Sequence, residues 1–162
     1  MAFPPSPSEA RFILEAVGLP ALRFEHDRTR RVVAAIPLEH MGFRPAAGAR
    51  SAGDLARHIV GAELRFLSGA TTGMFPDFTA ELGNAPDSAT VVTFYESRFP
   101  PLLVKLAATG GQDLLRELDY RGLMRMPALE FVQFALNHTI HHRGQLSVYL
   151  RAVEVEVPRI YG

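Results

Sequence analysis

The sequence predicts an all-α protein, a single four-helix bundle domain that spans residues 1–162. Four long segments carry apolar residues at three- and four-residue spacing, which is the period of an amphipathic helix. Proline and glycine mark the connections between them, and almost no segment shows the apolar–polar alternation of a strand. A chain of 162 residues can bury one sizeable core but is too short for two.

Capping and breaking residues set the limits of the predicted helices, which cover residues 9–17, 20–36, 51–68, 88–108 and 127–153. Ser8 is a candidate cap for the first helix, and Gly18 is its expected end. Ser51 followed by Asp54 resembles a capping box, which predicts that the third helix begins there.

The fourth predicted helix contains two consecutive prolines. Asp87 or Ser88 caps this helix, and a Gly-Gly pair at 110–111 stops it. Pro100 and Pro101 should kink the helix or divide it in two, because proline removes a backbone donor.

Two connections lack a clean helical period. The stretch Gly69–Asp87 is rich in glycine and proline, and connections of this length are often functional, so it could cover a pocket. Residues 113–126 are predicted to be an extended excursion, with a turn at residues 120–122.

The amino-acid composition excludes several classes of function. Lys+Arg and Asp+Glu are both 17, so no net charge attracts nucleic acid or an anionic membrane. The absence of cysteine excludes disulfides, thiolate ligands and a protein-borne thiol nucleophile. Residues 2–7 lack the features of a signal peptide, and no apolar run approaches about 18 residues. We therefore expect a cytoplasmic protein that binds neither nucleic acid nor membrane.

Half of the six histidines lie within five residues of the last helix. His138 and His142 are one turn apart on the same face, and Gln145 continues that stripe. Two imidazoles at this spacing can bind one metal ion at about 2 Å from each ring nitrogen. His141 points about 60° away from His138 and is expected at the edge of such a site.

A third ligand must come from another helix. His58 is the best candidate, because it lies among apolar residues on the face of the third helix that should point inward. Together, His58, His138 and His142 would leave one coordination position open, as in catalytic metal sites. The alternative is that His58 is a hydrogen-bonded core histidine, which is the commoner role of a lone histidine on an apolar face.

For four further residues the sequence predicts a structural role or no role in the site. His26 should be a packed and hydrogen-bonded histidine, and His40 carries no functional signal. Arg143 should pair with an acid or a carbonyl on another helix, because it points away from His142. Gly144 should allow a neighbouring backbone to approach the helix closely.

Two segments of the chain resemble the DinB/YfiT-like family. They are the string Asn137–Leu146, which contains His-Arg-Gly-Gln, and Leu55–Ile59 in the third helix. The closing segment Val157–Gly162 is similar to that family's tail. The resemblance implies a four-helix bundle in an up-down-down-up arrangement, commonly homodimeric. It also implies that His58, His138 and His142 hold one divalent metal ion.

The resemblance also implies a class of reaction. Members with an assigned activity are metal-dependent transferases or isomerases that use a low-molecular-weight thiol such as bacillithiol or mycothiol. We therefore expect transfer of such a thiol to a small electrophile, with His141 and Gln145 handling a proton or holding the nucleophile. Zinc and nickel are the leading candidates for the metal, although three imidazoles also suit copper and iron.

Two other interpretations remain open. Other members of the family are named only for induction by DNA damage, so the chain could be a stress-associated metal-binding protein without turnover. It could also be a purely structural bundle whose histidines make core hydrogen bonds.

Overall fold

The computed structural model describes residues 5–83 and 85–161. Residues 2–4, Asn84 and Gly162, which belong to segments considered above, lie outside this part of the chain. The described elements are α1 Pro7–Ile13, α2 Leu19–Ala34, α3 Ala52–Thr72, α4 Phe78–Glu81, α5 Ser88–Ala107, α6 Gly111–Leu115, β1 Glu117–Tyr120, β2 Met124–Pro127 and α7 Ala128–Ala152. The long helices α2, α3, α5 and α7 form a bundle, so the predicted all-α class is confirmed.

Contacts near the helix ends give the relative directions of the helices. The hydroxyl of Ser88, at the start of α5, donates to the carbonyl of Ile36, just after α2, at 2.8 Å. Helices α2 and α5 are therefore antiparallel. The Phe66 ring, late in α3, stacks against the Phe131 ring, early in α7, with centroids 6.1 Å apart. Helices α3 and α7 are therefore antiparallel as well.

Helices α3 and α5 run in the same direction. Glu63 bonds to Tyr95, and one cavity further along is lined by Ser68 and Leu102, so both helices advance together. Taken in chain order, α2, α3, α5 and α7 have the up-down-down-up arrangement that the family resemblance implied. Each long helix packs against two others, with α2 diagonal to α3 and α5 diagonal to α7.

The N-terminal helix differs from its prediction. Its cap is Ser6 rather than Ser8, because Ser6 and Glu9 form a reciprocal capping box. Gly18 does not end the helix: its φ is −63°, a helical value, and a π-helical turn at Leu14–Gly18 leads directly into α2. Glycine ends a helix when it adopts a positive φ, and Gly18 does not.

Helix α3 begins as predicted and ends later than predicted. The capping box of Ser51 and Asp54 is present, with each side chain bonded to the other residue's backbone N–H. The helix continues to Gly73, whose φ of 78° is the left-handed value of a C-terminal glycine. Gly69, expected to start the connection, lies inside α3, where any side chain would overlap the ring of Phe75. That glycine marks a close contact rather than a helix end.

Pro100 and Pro101 both lie in the interior of helix α5. Asp87 is the cap, and its side chain accepts a hydrogen bond from the N–H of Thr90 at 2.7 Å. The helix runs through Pro100 and Pro101 without a break, so of the two predicted outcomes, a kink or a division, the division does not occur.

The predicted extended excursion, residues 113–126, begins inside helix α6, so residues 113–115 are helical rather than extended; the rest forms a short hairpin between α6 and α7. Strands β1 and β2 pair in antiparallel register, with Glu117 opposite Pro127. The turn places Arg121 at φ 57° and Gly122 at φ 69°, and two consecutive positive φ values are typical of a tight hairpin turn.

Arg143 joins three parts of the chain inside the bundle. This side chain is buried, and its guanidinium lies 2.6 Å from the carboxylate of Glu25 on α2. It also donates to the hydroxyl of Tyr161, in the C-terminal tail, at 2.7 Å. The predicted pairing of Arg143 with an acid or carbonyl on another helix is confirmed. Over the described ranges, no helix has the length and apolar content needed to cross a membrane.

Candidate metal centre

Three histidines converge where α3 faces α7. His58 comes from α3, and His138 and His142 come from successive turns of α7. The Nε2 atoms of His58 and His142 are 3.2 Å apart, and one nitrogen from each ring lies within 4.8 Å of the other two. The antiparallel packing of the two helices thus brings together the three residues that the sequence singled out.

An aromatic layer closes the inner side of this cluster. The ring centroids of Phe66 and Phe134 lie 6.0 and 5.9 Å from that of His138. The three histidines are half-buried rather than fully enclosed. The cluster therefore contacts aromatic rings on one side and is partly exposed to solvent.

The surroundings hold the three imidazoles in their neutral form. Burial lowers the pKa of His138 to about 3 and that of His58 to about 4. The neighbouring His142 ring is the second contribution to the lowered pKa of His138, and the Arg50 guanidinium is the second contribution for His58. Burial also lowers the pKa of His142. Neutral imidazole is the form that binds a metal ion, so the cluster is ready to bind one at neutral pH.

Hydrogen bonds on α7 fix the orientation of His142. Nδ1 of His142 lies 2.7 Å from Oε1 of Gln145, an atom that can only accept, so Nδ1 carries the proton. The unprotonated Nε2 then faces His58. The amide nitrogen of Gln145 lies 3.1 Å from Nε2 of His141 and donates to it. Hydrogen bonds thus connect His142, Gln145 and His141, and the bond between His142 and Gln145 joins two residues of the stripe predicted from their spacing.

The donor set fits one divalent ion. Two nitrogens bound at 2.0–2.1 Å in tetrahedral geometry would be about 3.3 Å apart, close to the 3.2 Å between Nε2 of His58 and Nε2 of His142. Within the described residues, the buried Nδ1 of His138 has no hydrogen-bond partner. The protein therefore places no competing bond on that nitrogen, and the three histidines could hold a metal ion.

The remaining histidines are separate from the cluster. His26 packs on Phe99 with ring centroids 3.8 Å apart, and its Nε2 lies 2.9 Å from Oε1 of Glu96. The expectation of a packed, hydrogen-bonded histidine is confirmed. His40 ends a 3₁₀ turn at Leu38–His40 and takes no part in the cluster.

The expectation for Gly144 is wrong. A side chain built at this position would meet nothing within 4 Å, so no neighbouring backbone approaches it. The residue is exposed on the outer face of α7. We find no structural reason for glycine there.

Sequence reasoning missed Arg50, whose charge acts on the histidines of the cluster. It occupies a connection without periodicity, and its only local signal is its position directly before the Ser51 cap. The stretch Gly69–Asp87 was expected to cover a pocket. Two of its residues pack against α3, where Thr79 contacts Gly61 and Phe75 contacts Gly69.

Comparison with known proteins places the chain in a family. The model of the DinB family matches residues 19–162. The uncharacterized protein YjoA of Bacillus subtilis strain 168 is 25% identical over 134 residues, which cover 80% of this chain and 85% of YjoA. The uncharacterized YrdA of the same strain is 27% identical over 146 residues, covering 89% and 86% of the two chains.

Two solved structures share the fold. A DinB-like protein from Bacillus cereus ATCC 10987 has a TM-score of 0.74 and 26% identity, covering 89% of this chain and 95% of its own. The structure of YjoA has a TM-score of 0.67 and 21% identity, covering 88% and 96%, and this likeness concerns the fold alone. The helix order, the three-histidine cluster and the match over residues 19–162 agree, and the chain belongs to the DinB family.

Proposed function

We propose that this protein is a metal-dependent transferase that adds a low-molecular-weight thiol to small electrophiles. The observation that carries the proposal is the convergence of His58, His138 and His142 on one half-buried point. Three neutral ligands leave a divalent ion its full charge and an open position for an anion. Because the chain has no cysteine, the thiol must be a cosubstrate.

A divalent cation bound by the three histidines supplies the positive charge that favours the thiolate form of an entering thiol. The sulfur then forms a bond to the electrophilic carbon with its own electron pair, and the leaving group departs with the pair of the bond that breaks. His141 takes the thiol proton on its unprotonated Nε2, after the amide N–H of Gln145 from which this nitrogen accepts turns away. Gln145 keeps His142 in the orientation that directs Nε2 into the site.

The proposed reaction favours particular metal ions and one cellular compartment. Zinc and nickel are the expected ions, since both accept three imidazoles and an exchangeable fourth ligand. Low-molecular-weight thiols stay reduced in the cytoplasm, so the reaction belongs to that compartment. The alternative is a stress-associated metal-binding protein without turnover.

The test is a thiol-consumption assay on untagged protein loaded with zinc or nickel. A panel of cellular thiols is mixed with 1-chloro-2,4-dinitrobenzene, and loss of free thiol is followed over time. Turnover should require metal and disappear in His142→Ala, while His40→Ala retains it because His40 lies outside the cluster. If no thiol reacts faster than with metal-free protein, the non-catalytic alternative replaces the transferase.

We also propose that the protein is a homodimer. The N-terminal helical segment exposes Phe12, Ile13 and Val17 at 68%, 41% and 58% of their full accessible areas. Such adjacent apolar side chains are typical of an interface. Light scattering at micromolar concentration should give about twice the chain mass of 17.8 kDa, and a mass near 17.8 kDa would contradict the dimer.

A further inference from the structure

A cavity of about 690 Å³ lies beside the three-histidine cluster. Its walls come from the connection before α3, from the start of α3 and from the C-terminal half of α7. Gln145 links the cavity to the cluster, because it lines the cavity and its side chain bonds to His142 at 2.7 Å. A molecule held in the cavity therefore has one end close to the metal ligands.

Arg50 is the charged residue that lines this cavity. Within residues 5–83 and 85–161, its guanidinium forms no ion pair and no hydrogen bond with another side chain. Its charge reaches the cluster, since it contributes to the lowered pKa of His58, His138 and His142. A guanidinium presents paired N–H donors that match a carboxylate.

The acid nearest to Arg50 in sequence is already bonded to other groups. Oδ1 of Asp54 accepts from Arg57 at 2.7 Å, and Oδ2 accepts from Arg44 at 3.0 Å and from the Ser51 hydroxyl at 2.7 Å. These bonds hold Asp54 in the capping box of α3. Arg50 is therefore available to a ligand rather than committed to the fold.

The other walls of the cavity are largely apolar. Leu55 is buried at its inner side, and Val148 and Tyr149 project from α7. The Tyr149 ring is braced by the edge of Phe43, with centroids 6.0 Å apart. The cavity thus presents one positively charged side chain, one amide and an apolar surface. These features together suit a small molecule that has an apolar body and a carboxylate.

We propose that Arg50 is a specificity-determining residue, which binds the carboxylate of a small amphipathic substrate while Leu55 and Tyr149 contact its apolar body. This inference rests on the proposed function, because it assigns a substrate class to the same site. The carboxylate belongs either to the thiol or to the electrophile. In both cases Arg50 positions the reacting end of the molecule beside Gln145 and the histidines.

Calorimetry can test the site without relying on turnover. Phenylacetate and its neutral isostere phenylacetamide are titrated at low ionic strength, because Arg50 is exposed to screening by salt. The proteins are wild type, Arg50→Gln, Arg50→Lys and the matched control Arg23→Gln, each in zinc-loaded and metal-free form. Arg23 is an exposed arginine on α2, the helix diagonal to α3.

Wild type should prefer phenylacetate by about tenfold or more in both metal states. In metal-free protein, Arg50→Gln should abolish this preference, Arg50→Lys should keep part of it, and Arg23→Gln should leave it unchanged. The proposal is overturned if metal-free Arg50→Gln keeps the preference. It is also overturned if metal-free wild type lacks it, since the carboxylate would then bind the metal.

Kinetics distinguish the two sources of the carboxylate. Arg50→Gln should raise the KM of N-acetylcysteine but not of its amide if the thiol carries the recognised group. It should raise the KM of chloroacetate but not of chloroacetamide if the electrophile carries it. A protein that keeps the phenylacetate preference without any thiol turnover would refute the transferase and retain the Arg50 site.

Discussion

The hydroxyl of Tyr95 on α5 donates a hydrogen bond to Oε2 of Glu63 on α3, inside the bundle. Both side chains are fully buried, and within the described residues Oε1 of Glu63 has no partner. Burial raises the pKa of Glu63 to about 7, because a charged carboxylate loses its hydration there. The interior of the protein thus contains an acid that titrates near neutral pH.

Replacing Glu63 with glutamine should remove a pH dependence of stability. The folded pKa lies above the ordinary value of 4.5, so Glu63 contributes its full stability below pH 4.5 and loses it as pH rises through about 7. Relative to Glu63→Gln, wild type should lose about 2 kcal/mol of unfolding free energy between pH 5.5 and 8.5. Urea unfolding of metal-free protein at the two pH values measures this difference.

Glu156→Gln is the matched control, because Glu156 is exposed in the C-terminal tail. Its stability should follow that of wild type at both pH values. A constant difference between wild type and Glu63→Gln would show that the buried carboxyl does not titrate in this range.

Replacing Arg143 with alanine should strongly destabilise the fold. The change leaves the buried carboxylate of Glu25 without its cation and the Tyr161 hydroxyl without a donor. Breaking a buried ion pair from one side costs about 3–5 kcal/mol. Urea unfolding in the presence of a chelator measures this loss apart from any metal effect. Arg151→Ala, an exposed change on the same helix, should stay within about 0.5 kcal/mol of wild type.

Local sequence signals predicted the long helices well. The capping box at Ser51 and the limits of α7 depend on a few neighbouring residues, and both are present in the structure. The spacing of His138 and His142 fixed their shared face without reference to the rest of the fold. His58 was placed by the apolar pattern of one helix and supported by the family resemblance.

Features that depend on distant contacts could not be predicted in this way. Glycine often ends a helix, and only the contact of Gly69 with Phe75 shows why this glycine lies inside the last turn of α3. Glu63 and Tyr95 lie on different helices, and nothing local indicates that they meet. Arg50 lines the cavity because the connection before α3, which contains it, folds against α7.

Each histidine of the cluster should be required for tight metal binding. Replacing His58, His138 or His142 with alanine removes one of three ligands, so zinc affinity should fall by more than about 100-fold. Competition with a chromophoric chelator measures the affinity of untagged protein. His26→Ala and His40→Ala should bind like wild type, because neither ring belongs to the cluster. Stoichiometric zinc in the His58→Ala, His138→Ala double variant would contradict the assignment.

The effect of Gln145 on the metal should be smaller and should depend on its acceptor atom. Oε1 accepts from Nδ1 of His142 at 2.7 Å and so keeps Nε2 free for the ion. Gln145→Ala should lower zinc affinity by about 10–100-fold, the usual effect of losing such a partner. Gln145→Glu keeps an acceptor at this place and should bind zinc at least as tightly as wild type.

Gln133→Ala provides the matched control for Gln145→Ala. Gln133 lies on the same helix, is exposed, and bonds only to Asn137 among the described side chains, so its loss should leave zinc affinity unchanged. The same chelator competition compares all three variants. Equal affinities for Gln145→Ala and wild type would mean that the hydrogen bond does not orient His142. The packing of α3 against α7 would then be sufficient to hold the ring in place.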